Sequence, residues 1–183
     1  MSETVIGTSP AALLQEKAAA VVAAAIARGI KLVTAESCTA GRLVAMLADA
    51  PNASQAVFGG YVVYTKDAKE RLGVGRDALD RYGAVSAPVA RLLAECALAH
   101  SGADVAVAVT GVAGPTSDDD GNPVGLVYIS ASRRGFPPRS LRLEYGAMHR
   151  DAVLFNAIQD ALGIAQSMVD EPAVAAGQGR SLS

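Results

Sequence analysis

Apolar residues recur along this chain in two rhythms, and glycine and proline mark where one gives way to the other. Residues 11–28 are Ala-rich and apolar all round. Pro10 can open this stretch and Gly29 ends it, which predicts a buried helix. Residues 30–35 are short and β-branched and read as a buried strand. Helical spacing returns at 38–50, where Leu43, Met46 and Leu47 share a face and Pro51-Asn52 closes the run. The stretch "VFGGYVVY" (57–64) reads as a strand with a Gly-Gly bend near its start. Residues 66–72 and 76–82 form two short helices, each stopped by a glycine. Ser86 and Pro88 signal the start of a further helix that Gly102 ends. Residues 105–109, 124–133 and 141–145 read as strands and 150–169 as a final helix.

Strands that alternate with helices predict an α/β fold, a three-layer α/β/α sandwich. No internal repeat is visible. One domain is expected over 10–170, with a flexible N-terminus at 1–9 and a small, polar, disordered tail at 171–183. Sites in such folds gather where strands end and helices begin. Two segments answer to that description here, 35–40 and 110–122.

Composition narrows the picture. The chain has 183 residues, 51% of them hydrophobic and 19% charged, which suits one domain with a sizeable core. It has no Trp, 3 Phe and 5 Tyr, so that core must be built from Ala, Val, Leu and Ile. A net charge of −2 without a basic block argues against nucleic acid as the partner. The apolar run 18–27 is half the length of a membrane-spanning helix of about 20 residues, so no membrane association is expected. It lacks the positively charged start of a signal peptide. The 2 cysteines, Cys38 and Cys96, do not read as a disulfide framework, which points to a reducing cytoplasm. The Ala-rich first helix and the high apolar fraction point to a homo-oligomer.

The candidate chemistry starts at "TAESCTAGRL". Ser37 there reads as a helix cap or as a nucleophile whose oxyanion the N–H groups of the same turn would hold. Cys38 beside it reads as a rival nucleophile or as a small buried apolar residue. A base for Ser37 could be His149, or a lysine whose burial lowers its pKa. His100 ends a helix, where the dipole accounts for it. Lys66 and Lys69 follow a strand, and by local spacing each reads first as a solvated surface lysine. The loop "TGVAGPTSDDDGNPVG" brings backbone N–H groups close to a ligand and suits phosphate or carboxylate. Three consecutive aspartates, Asp118 to Asp120, cannot all face one ion, so no metal is expected. Arg150 at a helix start opposes the helix dipole and calls for a bound phosphate or a carboxylate partner.

Taken together, "TAESCTAGRL", "YVVYTKDAKERLGV", "GAVSAPVA", "TGVAGP", "NPVG" and "GAMHRDAV" resemble the CinA C-terminal domain family. Its enzyme members are nicotinamide-nucleotide amidases. The resemblance covers roughly residues 13–162, in the family's order. It implies a mixed, mostly parallel sheet of about five strands, one of them antiparallel, between helices. It also implies an amidohydrolase that converts nicotinamide mononucleotide to nicotinate mononucleotide and ammonia, through a Ser-Lys dyad and an acyl-enzyme, with no cofactor. Ser37 falls on the nucleophile and Lys69 on the base, with Tyr64 and Thr110 as further catalytic residues. Glu36, Cys38, Thr39, Gly111, Ala113, Gly114 and Arg150 would contact the pyridine nucleotide. The alternative is a non-catalytic nucleotide-binding or partner-binding module of the same fold.

The chain departs from the family's pattern in three places. Ala40 stands where the family has Gly, Lys66 stands where it has Asn, and the 117–122 loop is more acidic. The chain also lacks the large N-terminal domain of full-length family members, so a stand-alone form is expected.

Overall fold

The computed structural model describes residues 9–172. The expectations for the chain ends fall outside that range except at Ser9, Glu171 and Pro172. Ser9 caps the first helix, its Oγ accepting from the Ala12 N–H at 3.2 Å. In chain order the elements are α1 (Pro10–Arg28), β1 (Leu32–Glu36), α2 (Arg42–Ala48), β2 (Val57–Val62), α3 (Lys66–Leu72), α4 (Arg76–Tyr82), α5 (Ala87–His100), β3 (Val105–Gly111), β4 (Leu126–Arg133), β5 (Arg139–Glu144) and α6 (Arg150–Asp170).

The strands form one five-stranded sheet in the order β2-β1-β3-β4-β5. β1 pairs parallel with β2 and β3, and β4 pairs antiparallel with both β3 and β5. Four strands therefore run one way and β4 runs against them, as the resemblance implies. The chain leaves β1 for β2 on one side and reaches β3 on the other, so the strand order reverses between β1 and β3. That crevice is where α/β sheets bind ligands.

Alternation along β3 explains the layering. Val105, Val107 and Val109 face a core shared with α1 and α6, whereas Ala106 and Ala108 face a second core shared with α5. The small alanines let α5 approach the sheet closely, and the valines fill the wider space on the other side. Both α1 and α6 are long and apolar enough to cross a membrane by length and composition, more than the ten-residue run read from the sequence. In the fold they instead bury Leu14, Val21 and Val22 of α1 against Leu154, Ile158 and Leu162 of α6 in one core.

Of the boundaries that differ from expectation, three have a clear local reason. β1 runs on to Glu36 because that residue still pairs with Val62 and Val109. β4 begins at Leu126 because Gly125 turns with φ +87°, and a Cβ there would lie 2.1 Å from the Gly146 carbonyl oxygen. α2 begins at Arg42, four residues later than expected, and the cause lies in the site.

Candidate functional site

The turn that follows β1 is organised by a carboxylate. Glu36 is fully buried, and its side chain reaches forward to the start of α2. Its Oε2 accepts from the N–H groups of Gly41 and Leu43, each at 3.0 Å, and its Oε1 accepts from Val44 N at 2.8 Å and Thr34 Oγ1 at 3.0 Å. These N–H groups are the ones a helix start leaves without partners, and a negative charge suits that end of the dipole. Glu36 thus takes the capping role that the sequence offered to Ser37. The chain between them, Ser37 to Gly41, folds as tight turns, with Ala40 N donating to Ser37 O and Arg42 N to Thr39 O, both at 3.1 Å. Ala40 sits at φ 50° in the left-handed region. For a residue with a Cβ this costs about 1–2 kcal/mol, which is the physical reason glycine suits the position.

Released from capping, Ser37 faces Lys69. The Lys69 Nζ lies 2.9 Å from Ser37 Oγ, 2.8 Å from the Val63 carbonyl oxygen and 3.4 Å from that of Tyr64. Lys69 is 1% exposed, on the inner face of α3. Burial lowers its pKa from 10.5 to about 8, and the nearby Cys38 sulfur opposes that shift. Like-charge repulsion from Lys66, three residues away, is not the cause. Lys66 is turned outward and pairs with Asp120 at 3.1 Å.

The two residues sit in a cavity of about 520 Å³ at the C-terminal ends of β1, β2 and β3, within the range of small-molecule sites. Of the expected site residues, Ser37, Cys38, Tyr64, Lys69, Gly111, Ala113, Gly114 and Arg150 line it. Three others, the expected substrate contacts Glu36 and Thr39 and the expected catalytic residue Thr110, are buried elsewhere. Glu36 is consumed as the cap of α2. Thr39 is fully buried beneath the turn, its Oγ1 without a hydrogen-bond partner among the described residues. Thr110 is buried in β3 and donates to the Ala84 carbonyl oxygen at 2.8 Å, so it ties β3 to the loop before α5.

Donors surround the nucleophile. The Ser37 N–H is taken by Val109 O at 2.9 Å, while those of Cys38, Ala113 and Gly114 meet no backbone acceptor among the described residues. Arg150 donates Nη1 to Gly114 O at 3.0 Å. Among the described residues no carboxylate pairs with it, so its remaining N–H groups are open to the cavity.

The rival chemistry is not assembled. Cys38 is buried and its pKa is pushed up to about 11 by that burial, so its thiolate is scarce near neutrality. His149 caps α6, its side chain is 82% exposed, and it does not line the cavity. His100 lies at the end of α5 with Nδ1 2.9 Å from Cys96 O.

The aspartates of the 117–122 loop divide their tasks. Asp118 accepts from Asn122 N at 2.7 Å and Asn122 Nδ2 at 2.9 Å, which holds the loop's own turn, and Asp120 pairs with Lys66. Sequence reasoning assigned no site role to Ala84, Val85, Thr116 or this loop's carboxylates, all of which line the cavity. The signal was present for Ala84 and Val85, since they lie in the recognised stretch "GAVSAPVA".

Comparisons with known proteins agree with this architecture. The family model described as CinA C-terminal domain matches residues 14–169. A CinA-like protein of Akkermansia muciniphila is 45% identical over 138 residues, 75% of this chain and 33% of that protein. A CinA-like protein of Geobacter sulfurreducens is 41% identical over 153 residues, 82% of this chain and 34% of that protein. The chain therefore spans about a third of the length of these relatives. Among solved structures, the competence/damage inducible protein CihA from Agrobacterium tumefaciens superposes with a TM-score of 0.82 at 35% identity, covering 85% of this chain and 94% of that one. The competence damage-inducible protein A of Klebsiella pneumoniae gives 0.82 at 33% identity, covering 87% and 99%.

Proposed function

The chain belongs to the CinA C-terminal domain family, and from that premise and the chemistry of its cavity we propose that it is an amidohydrolase. Its substrate is nicotinamide mononucleotide, and its products are nicotinate mononucleotide and ammonia. The observation that carries this reading is the buried Lys69 amine 2.9 Å from Ser37 Oγ, with two carbonyl oxygens beside it. A neutral amine has two N–H donors and one lone pair. The Val63 and Tyr64 carbonyls take the two donors, which leaves the lone pair aimed at the Ser37 hydroxyl. With a pKa of about 8, roughly a tenth of the lysine is neutral at pH 7, about 300-fold more than for an unperturbed lysine.

The steps follow from this geometry. Ser37 Oγ attacks the carboxamide carbon as its proton passes to Lys69 Nζ. The carbonyl oxygen becomes an oxyanion within reach of the free N–H groups beside the cavity, such as that of Cys38. When the tetrahedral intermediate collapses, the C–N bond breaks and Lys69 returns the proton to the nitrogen, which leaves as ammonia. Water, deprotonated by Lys69, then attacks the Ser37 ester; the bond from the acyl carbon to Ser37 Oγ breaks, Lys69 returns the proton to Oγ, and the acid leaves as its carboxylate, its proton passing to solvent. Arg150 and the Gly111–Gly114 backbone orient the nucleotide, with Arg150 placed for its phosphate. Tyr64, more than half exposed at the mouth, offers a face for the pyridine ring. Both cysteines are free, in keeping with a place in the reducing cytoplasm.

The acidic loop favours one rival reading, a nucleotide- or partner-binding module without turnover. Ammonia release from nicotinamide mononucleotide separates the two. The wild type releases ammonia and Ser37→Ala lowers the rate by at least about 1,000-fold while the fold is kept. A folded wild type that binds the nucleotide and releases none would remove the amidase reading.

A further inference from the structure

Lys66 and Asp120 stand on opposite walls of the cavity. Lys66 opens α3, and Asp120 comes from the loop between β3 and β4, 54 residues further on. Their 3.1 Å ion pair joins these walls at the solvent side, with side chains 44% and 34% exposed. Both line the cavity. The second Asp120 oxygen lies against the Gly83 backbone, so close that a Cβ on Gly83 would sit 3.3 Å from it. The carboxylate is therefore seated between the Lys66 ammonium and the Gly83 turn.

The other charges of the cavity are differently placed. Lys69 is engaged by Ser37 and two carbonyls, and Asp118 holds Asn122. Arg150 has no carboxylate among the described residues. Of the three cations that line the cavity, Lys66 alone is neutralised by a carboxylate. An exposed pair of this kind is weak. A phosphate monoester carries close to two negative charges and three acceptor oxygens, so it competes for a flexible ammonium better than a single carboxylate does.

We propose that Asp120 is a built-in competitor for the anionic group of the cavity's ligand: Lys66 is a ligand contact held masked, and a phosphate monoester binds by taking the place of Asp120. This rests on the reading of the cavity as a nucleotide site. Asp120 would then set a threshold that weakly charged ligands do not cross. Ligands without the anionic group gain nothing from displacing it.

A double-mutant cycle on phosphate binding tests the masking. Inorganic phosphate is titrated calorimetrically at low ionic strength into the wild type, Asp120→Asn, Lys66→Met and the double variant. Masking predicts that Asp120→Asn tightens phosphate about two- to fivefold, the equivalent of one exposed ion pair. It predicts that Lys66→Met weakens phosphate, and that Asp120→Asn has no effect once Lys66 is gone. Lys66→Arg, which keeps the cation, should bind within about twofold of wild type. Equal tightening by Asp120→Asn with and without Lys66 would show that Asp120 acts only through its general field, and would overturn the proposal. So would unchanged binding in Asp120→Asn, or no phosphate binding by wild type and Asp120→Asn alike. The titration needs no turnover, so its failure leaves the ammonia assay standing. A protein that releases no ammonia can still pass it.

Discussion

Lys66 and Lys69 lie one turn apart on the same short helix and live in opposite surroundings. Lys66 reaches into solvent and meets a carboxylate, Asp120. Lys69 turns inward beneath the end of β2, where it is 1% exposed and its amine meets a hydroxyl and two carbonyls, with no carboxylate paired to it among the described residues. The difference shows which force prepares a lysine for proton transfer. Water and a counter-ion offset the charge of Lys66. Nothing offsets a charge on Lys69 except hydrogen bonds, so the neutral form gains, and its pKa falls to about 8. A slide of α3 by one turn along its axis would bring Lys66 to the place of Lys69. The burial of Lys69 and Leu72 on the inner face of α3, which packs on α5, opposes this.

The largest effect that follows concerns the base. Lys69→Ala should lower the rate of ammonia release by about 100- to 10,000-fold, the usual range for a general base. In the wild type, log kcat/KM should rise with slope one below pH 8 and level off above it, since the neutral amine is the active form and kcat/KM reports the free enzyme. The steady-state rate of ammonia release between pH 6 and 9.5 measures this. A flat profile over that range would remove Lys69 as the base and break the contrast between the two lysines.

The second effect is on stability and has the opposite sign. The unfolded chain binds a proton at Lys69 up to its ordinary value of 10.5, whereas the folded protein releases it near 8. Between these values the unfolded state holds more protons, so stability rises with pH across that window. Below pH 8 the folded state bears the full cost of burying this amine, about 3 kcal/mol for such a shift. Lys69→Met removes that cost and keeps the volume. It also leaves the Val63 carbonyl without its donor, which returns about 1–2 kcal/mol. The variant should be inactive and more stable than wild type by about 1–2 kcal/mol at pH 7, and the gap should close about one pH unit above the Lys69 pKa and reverse by pH 10.5, where the wild type no longer bears the cost of the buried charge. Urea denaturation at the two pH values checks both statements. A variant less stable at pH 7 would show that the hydrogen bonds of Lys69 outweigh its desolvation.

Most of the elements were legible in the sequence because their ends carry local punctuation. α3 and α4 appear within the expected bounds, each stopped by a glycine, and Ser86 caps α5 with its Oγ accepting from Val89 N at 3.4 Å. α2 was misplaced because its cap is the side chain of Glu36, reaching five to eight residues ahead. Cap preferences look only at the residue before the helix. That one strand of the sheet is antiparallel came only with the family resemblance, and the strand order and the place of the reversal at β4 were out of reach of periodicity. The site divides similarly. Ser37 and Arg150 stood at element boundaries, where a reader of residues looks first. Lys69 read from its neighbours as a surface lysine, because only the tertiary fold brings Ser37 and the Val63 and Tyr64 carbonyls around its amine. The partnership of Asp120 with Lys66 joins residues 54 positions apart, and no local pattern announces it.

The smallest effect concerns the outer lysine. If repulsion between the two lysines lowered the pKa of Lys69, removing Lys66 would raise it. Two charges on neighbouring turns, about 6 Å apart in water-like surroundings, interact by less than about 1 kcal/mol. Asp120, 3.1 Å from Lys66, cancels much of that already. Lys66→Met should therefore move the acidic limb of the kcat/KM profile by less than about 0.3 pH unit. The maximum rate at saturating substrate should stay within about threefold of wild type, because Lys66 touches neither Ser37 nor the reacting carbon, while KM rises with the loss of a cation from the mouth. An upward shift of one unit or more would assign the depressed pKa to Lys66 after all. The helix would then prepare its base by crowding two charges, and burial would be the lesser cause.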